Sequence, residues 1–289
     1  MTMSATTPAK RRDAAAIDSA AAVFALSRPD ARRKSQLAQI GGKVSRFMAR
    51  NIATKTLVTR NDRPLVTFTF DDAPGSACTT GAALLGHYRA RGTFYISGGG
   101  CGLMSPGGLL ATADQLKELY TAGHEIGCHT FSHAAVAAFR RNTLVAELER
   151  NRTFLQEIHH DLIVRNFAYP YGDLSFRAKQ CLEVHFDSCR SLRPGVNVGA
   201  IDLGALKSCE LQNSSIGRQG VLDIIAAAVR QKGWLIFVSH DVDNQPSQFG
   251  VSPDLLEFAL DAARTAGCQL VSVRDALTIL GGGASQPGN

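Results

Sequence analysis

The chain lacks any run of about 18 apolar residues, the length a membrane-crossing helix requires, and so is not read as a membrane-spanning protein. It has no Cys-x-x-Cys pair, although it contains 7 cysteines. That absence excludes a thiolate zinc ribbon, and the odd number argues against a disulfide framework. Glycine and leucine recur at no fixed period, which excludes collagen, long coiled coils and short-period repeats. What remains is ordinary for a folded protein. Over 289 residues, 45% are hydrophobic and 19% charged, enough to bury a substantial core in one or two domains.

Acidic residues are scarce at the N-terminal end. Residues 1–60 hold 12 Lys/Arg against 3 Asp/Glu, whereas residues 61–289 hold 19 against 22. The net charge of +6 therefore belongs to an N-terminal arm and says little about the rest. Such an arm is usually solvated, and a weak contact with a membrane surface through residues 1–60 is the other use open to it. Nucleic acid is not an expected partner. Lys10, Arg11 and Arg12 invite an export-signal reading, but Asp13 and Asp18 interrupt the stretch that would have to be apolar. A cytoplasmic location with reduced cysteines is the expectation, and the oligomeric state is left open.

From Leu65 the rhythm becomes regular. Strands are predicted at Leu65–Phe70, Gly92–Ile96, Glu125–Cys128, Leu162–Ala168, Val184–Asp187, Trp234–Ser239 and Gln269–Val273. Helical spacing falls at Thr79–Ala90, Asn142–His160, Phe176–Leu182, Val221–Gln231, Leu255–Ala266 and Asp275–Leu280. Thr112 with Gln115 makes a capping box for a further helix ending at Gly123. Leader helices are suggested at Ala20–Leu26 and Leu37–Ile52, and the Gly-rich stretch Ser97–Leu110 reads as a mobile rim. This alternation places the chain in the α/β class with a parallel sheet. Periodicity alone does not say whether the sheet closes.

In such folds ligands gather at the C-terminal ends of the strands. After Leu65–Phe70 come two adjacent carboxylates, Asp71 and Asp72. After Glu125–Cys128 come His129 and His133, spaced so that a helical turn would aim both imidazoles at one cation. After Leu162–Ala168 comes the Pro-fixed turn Tyr169-Pro170-Tyr171-Gly172, and after Trp234–Ser239 comes His240. One carboxylate and two imidazoles with an open fourth position form a catalytic zinc-type donor set. A second carboxylate and a third histidine are left for acid–base work.

The strings TFDDAP (69–74), HEIGCHTFSH (124–133), FAYPYG (167–172) and WLIFVSHDV (234–242), in this order, resemble the motifs of the polysaccharide deacetylase family, carbohydrate esterase family four. The resemblance runs over roughly residues 63–280 and implies a distorted (β/α) barrel. It also implies domain limits: a basic extension over 1–62, partly helical or disordered, a catalytic domain over 63–280 and a disordered tail over 281–289. The implied activity is metal-dependent removal of acetyl groups from N-acetylated amino sugars in an oligo- or polysaccharide. An O-acetyl esterase and a non-catalytic glycan-binding protein are the alternatives. By the same resemblance Asp71 is the general base and Asp72, His129 and His133 are the metal ligands. Tyr171 supplies an oxyanion N–H, and His240 is the general acid. The implied metal is Zn2+, with Co2+, Ni2+ or Mn2+ compatible with the donors.

Three departures from the family pattern stand out. Ala73 occupies the position where glycine commonly follows the two aspartates. The arginine that commonly precedes the Pro-Tyr turn and orients the base is missing, and Arg190 or Arg193 are the candidates to replace it. No Asp-Trp substrate segment is recognisable in Cys181–Leu211, so the partner of His240 is unassigned.

Other readings are weaker. His124-Glu125 opens a zincin-like string, but Cys128 stands where its second histidine belongs, so His124 is expected to be structural. Ser239, His240 and Asp241 are strand neighbours pointing to opposite faces and make no triad. Trp234 is expected in the core and Cys128 facing away from the histidines.

Overall fold

The computed structural model describes residues 36–281. The predicted helix at Ala20–Leu26 and nearly all of the C-terminal tail lie outside the described residues.

The core is organised about strand β2 (Leu65–Asp71), buried along its whole length. A strand covered on both faces must be apolar or internally satisfied, and its two threonines show the second solution. Thr67 Oγ1 accepts from Trp234 Nε1 at 2.9 Å, and Thr69 Oγ1 donates to the Phe237 carbonyl at 2.8 Å. Both partners lie on β11 (Trp234–Ser239), which pairs with β2 residue for residue from Trp234↔Leu65 to Ser239↔Phe70. Trp234 has no exposed surface, as expected of a core residue.

The other strands that shape the site are β3 (Thr93–Ile96), β6 (Glu125–Cys128), β7 (Asn166–Ala168), β8 (Ser188–Arg190) and β10 (Cys209–Glu210). The spatial order is β10-β11-β2-β3-β6-β7-β8, with every pairing parallel. The short strand β12 (Gln269–Leu270) also pairs with the start of β2.

The sheet curls into a half-barrel, and one irregular stretch spans its open side. Leu206 exchanges backbone hydrogen bonds with Cys189 and Ser191 at the β8 edge, and three residues on Cys209 enters the ladder with β11. The expected distorted barrel is thus borne out, with closure through a loop rather than a full strand.

Helices cover the outer face. Helix α3 (Ala113–Thr121) starts at the predicted capping box, with the Thr112 and Gln115 side chains each bonded to the other's backbone N–H. Helix α4 (Arg141–Ile158) buries Leu144, Leu148 and Leu155. The predicted helix at Thr79–Ala90 is a π-helical turn, Ala77–Gly81, running into α2 (Ala82–His87).

Helix α1 (Gln36–Asn51) docks on α5 (Phe176–His185). Ser45 Oγ accepts the Phe176 N–H at 3.0 Å, and the fully buried Lys179 donates to the Ile52 carbonyl at 2.6 Å while pairing with Asp202.

Some predicted elements move. Val184–Asp187 is not a strand; the helix persists to His185 and the strand is β8 (Ser188–Arg190). Of its three residues only Cys189 packs in the apolar core, while Ser188 bonds Asn166 and Arg190 reaches the site, so they show no strand-like apolar pattern. The strand predicted over Leu162–Ala168 shrinks to Asn166–Ala168.

The Gly-rich stretch is packed at its start and exposed at Met104 and Leu109. Gly98 N–H donates to Asn151 Oδ1 at 2.8 Å, and a Cβ at Gly98 would lie 2.5 Å from the Phe154 ring. The same stretch holds a small antiparallel pair, β4 (Met104–Ser105) with β5 (Gly108–Leu109). A second unpredicted pair joins β1 (Thr56–Val58) to β9 (Ala200–Asp202). All seven cysteines are free, and no described helix is long and apolar enough to cross a membrane.

Candidate active site

The C-terminal ends of β2, β6, β7, β8 and β11 face one region. β2 delivers Asp71, 4% exposed, and the chain then turns sharply, with Asp72 and Ala73 at φ of 59° and 49°. These are left-handed conformations that side chains with a Cβ seldom adopt, which gives the physical reason glycine is common at the position of Ala73.

Asp71 is held by Arg190 of β8. One guanidinium nitrogen, Nη2, donates to Oδ1 at 2.7 Å and to Oδ2 at 2.5 Å. Burial pushes the Asp71 carboxyl up, but the guanidinium, with smaller contributions from His129 and His240, holds it below the usual carboxylate range. Of the two arginines considered in place of the missing one, Arg190 is therefore the one beside Asp71. Arg193 lines a separate pocket of about 180 Å³ with Arg50 and Asn197.

Asp72 meets the two histidines. Its Oδ1 lies 3.3 Å from His133 Nε2 and 3.9 Å from His129 Nε2, and the two imidazole rings are 4.9 Å apart. The turn between them is not helical: Thr130 and His133 adopt φ of 60° and 51°. The convergence that spacing on a helix would explain is produced by two left-handed bends.

His129 is oriented by its other nitrogen, Nδ1, which lies 2.8 Å from the Ala168 carbonyl. A carbonyl only accepts, so Nδ1 carries the proton and the Nε2 lone pair faces Asp72. Burial is the main reason its pKa is lowered to about 4, so the ring is neutral near pH 7.

Tyr171 sits in the Pro170–Gly172 turn with φ of 59°, its ring 4.5 Å from that of His133. Gly172 follows at φ of 61°, where a Cβ would come within 2.9 Å of Leu192. His240, at the end of β11, stacks obliquely on Phe249 at 5.3 Å. Asp241 turns elsewhere; its carboxylate accepts the Ser247 N–H and hydroxyl, so no triad forms with His240. A cleft of about 510 Å³ lies alongside, between Gly75 and Ser76, the β4–β5 turn and residues 241–247.

Among the described residues, the buried side-chain N and O atoms without a hydrogen-bond partner are Asp72 Oδ1, Tyr95 Oη, Arg190 Nε and Nη1, and His240 Nδ1. They cluster here: Tyr95 pairs in register with Asp71, and its ring lies 5.3 Å from the Arg190 guanidinium. An orphaned carboxylate oxygen facing two imidazole Nε2 atoms is the pattern expected of cation ligands, since a buried anion without a partner is costly. The donor atoms of Asp72, His129 and His133 lie within 4.8 Å of one another, so these residues fit a divalent metal.

A second group, His159, His160 and Asp161, is spaced similarly but lies largely exposed, and His159 Nδ1 already accepts the Asp161 N–H. His124 is structural, its Nδ1 accepting the Gly92 N–H at 3.1 Å, and Cys128 Sγ accepts from Asn151 of α4. Sequence reasoning overlooked Glu147 of α4, which bonds the loop between the two histidines. Its only sequence signal was a carboxylate between core leucines.

Comparison with known proteins bears out the family resemblance. Residues 59–185 match the polysaccharide deacetylase family model. A chitin deacetylase of Arthroderma benhamiae is 28% identical over 123 residues, 42% of this chain and 32% of that protein. The chain thus aligns with about a third of that relative's length. Among solved structures, the chitin deacetylase of Colletotrichum lindemuthianum superposes with a TM-score of 0.57 at 17% identity, over 80% of this chain and 92% of that one. A family 4 carbohydrate esterase from Bacillus anthracis gives 0.55 at 14% identity, over 86% and 95%. At these identities the two structures establish the shared fold.

Proposed function

From a chain whose residues 59–185 carry the polysaccharide deacetylase pattern, we propose a metal-dependent hydrolase that removes acetyl groups from N-acetylated amino sugars of an oligo- or polysaccharide. The observation that carries this reading is the buried, unpartnered Asp72 Oδ1 facing the Nε2 atoms of His129 and His133. These three residues would hold the cation. Zinc suits the donor set best, and cobalt, nickel or manganese can use the same atoms. When bound, the cation supplies Lewis acidity toward the acyl oxygen and lowers the pKa of water.

The chain's own residues do the rest. Asp71, kept ionised beside Arg190, accepts the proton of the attacking water, and Arg190 fixes the direction of its oxygens. The Tyr171 backbone N–H, aimed by the left-handed turn after Pro170, donates to the oxygen of the acetyl group as charge develops there. An amine leaves poorly as an anion, so His240 donates a proton to the departing nitrogen. The cleft of about 510 Å³ lined by Ser76, the β4–β5 turn and Asp241 is where neighbouring sugar units would lie.

The test is acetate release from N-acetylglucosamine oligomers and from acetylated xylan, after chelation and metal replacement. Release from the amino-sugar oligomers, lost on chelation and restored by zinc, is expected. Asp71→Asn should keep the metal and release no acetate. Wild-type release from the metal-free protein overturns the reading. Release from xylan alone would make the protein an O-acetyl esterase. Glycan binding without release under all four metals would make it a non-catalytic binder.

A further inference from the structure

Helix α4 buries two polar residues that its leucine pattern does not explain. Glu147 is 8% exposed and Asn151 not at all. With Arg150 and Phe154 they fall at 147, 150, 151 and 154, the spacing of one helix face. That face is turned to the segment carrying His129 and His133. Glu147 Oε2 accepts from Ser132 twice, from N–H at 2.9 Å and from the hydroxyl at 2.7 Å. The Arg150 guanidinium lies 4.1 Å over the Phe131 ring, and Phe154 meets that ring edge-on. Asn151 Nδ2 donates to the Ile96 carbonyl at 2.9 Å and to Cys128 Sγ at 3.2 Å, locking the ends of β3 and β6 together.

The gripped segment is strained. Thr130 and His133 both sit at positive φ, on either side of the residues that α4 holds. Such conformations persist only where surrounding contacts over-determine them. Ser132 is the immediate neighbour of His133, and both of its bonds end on a single carboxylate oxygen of Glu147.

We infer that Glu147 is a positioning residue for the cation site: its carboxylate imposes the backbone turn that places His133 Nε2 against Asp72. The inference rests on Asp72, His129 and His133 being metal ligands. Glu147 itself touches neither cation nor substrate. Its role is to remove alternative conformations of the loop, so that its loss is read first as weaker metal binding.

The experiment is zinc affinity measured by competition with a chromogenic chelator, on Glu147→Ala, Glu147→Gln, Leu144→Ala and Asp72→Asn beside the wild type. Circular dichroism and the visible spectrum of the cobalt-substituted forms accompany it. Loss of supporting partners around metal ligands typically weakens binding about 10- to 100-fold. Glu147→Ala should fall in that range and show an altered cobalt spectrum while remaining folded. Glu147→Gln keeps an oxygen to accept both Ser132 bonds and should stay within about threefold of wild type. Leu144→Ala, a packing loss on the same helix, should leave the affinity unchanged.

Wild-type affinity in Glu147→Ala overturns the inference. So does an equal loss in Leu144→Ala, which would mark a general weakening of the helix. Equal loss in Glu147→Gln would show that charge, not hydrogen bonding, is responsible, and overturns it too. If Asp72→Asn itself binds zinc as tightly as wild type, the metal-site reading fails instead.

Discussion

Arg190 and Asp71 lie 119 residues apart in sequence, yet one guanidinium nitrogen contacts both oxygens of the carboxylate, at 2.7 and 2.5 Å. They sit on β8 and β2, with β3, β6 and β7 between them in the sheet. Only the curl of the sheet brings these strand ends face to face. Both groups are almost entirely buried, and a buried ion pair broken on one side leaves a charge without compensation.

Replacing Arg190 with methionine should therefore act on Asp71. Without the guanidinium, burial dominates and the Asp71 pKa rises. The acid limb of the kcat/KM profile for acetate release should move to higher pH. The maximal rate should fall by about 100-fold, the scale expected when a reacting group is misoriented. An unshifted acid limb in a folded Arg190→Met protein would show that Arg190 does not set the state of Asp71.

Metal binding should be readable as stability. A ligand at 100 times its dissociation constant stabilises a fold by about 2.7 kcal/mol. Zinc should raise the melting temperature of the chelator-treated wild type. Asp72→Asn, which removes the charge of one donor, and His133→Ala, which removes a donor outright, should show a smaller rise or none. Differential scanning fluorimetry with and without chelator checks this, and an equal rise in both variants would place the metal elsewhere.

Acid should destabilise the metal-free protein through His124. Its burial, with a smaller effect from Arg91, lowers its pKa from 6.5 to about 4. The folded state therefore resists a proton that the unfolded chain takes up. The contribution is full above pH 6.5 and is lost as pH falls toward 4, by at most about 1.4 kcal/mol per pH unit. His124→Gln keeps an acceptor for the Gly92 N–H but does not titrate, so its stability should fall less steeply between pH 6.5 and 4. Denaturant midpoints at several pH values decide the matter; parallel slopes would count against this account.

Lys179→Met should loosen α1. The ammonium group ties the Ile52 carbonyl, just past the end of that helix, to Asp202. Removing it leaves the partly buried Asp202 carboxylate without its ion-pair partner, at a cost of up to about 3 kcal/mol. Hydrogen exchange should show early loss of protection at residues 45–52, and adding Asp202→Asn should recover part of the stability. Unchanged protection there would mean that α1 docks by apolar contact alone.

The amino-acid sequence by itself determined the α/β alternation, the central strands and the residues that converge at the strand ends. Asp71, Asp72, His129, His133 and His240 all fall within five residues after the end of a predicted strand, and such patterns are local enough to read along a chain. Tertiary structure alone decided that Arg190 rather than Arg193 meets Asp71, and that the two histidines converge across left-handed bends rather than a helical turn. It also decided that a buried carboxylate on α4 holds that turn. The physical reason is common to these cases. A polar side chain buried far from its partner in sequence shows no periodicity, and its bond exists only once the curled sheet and its helices have brought the two together.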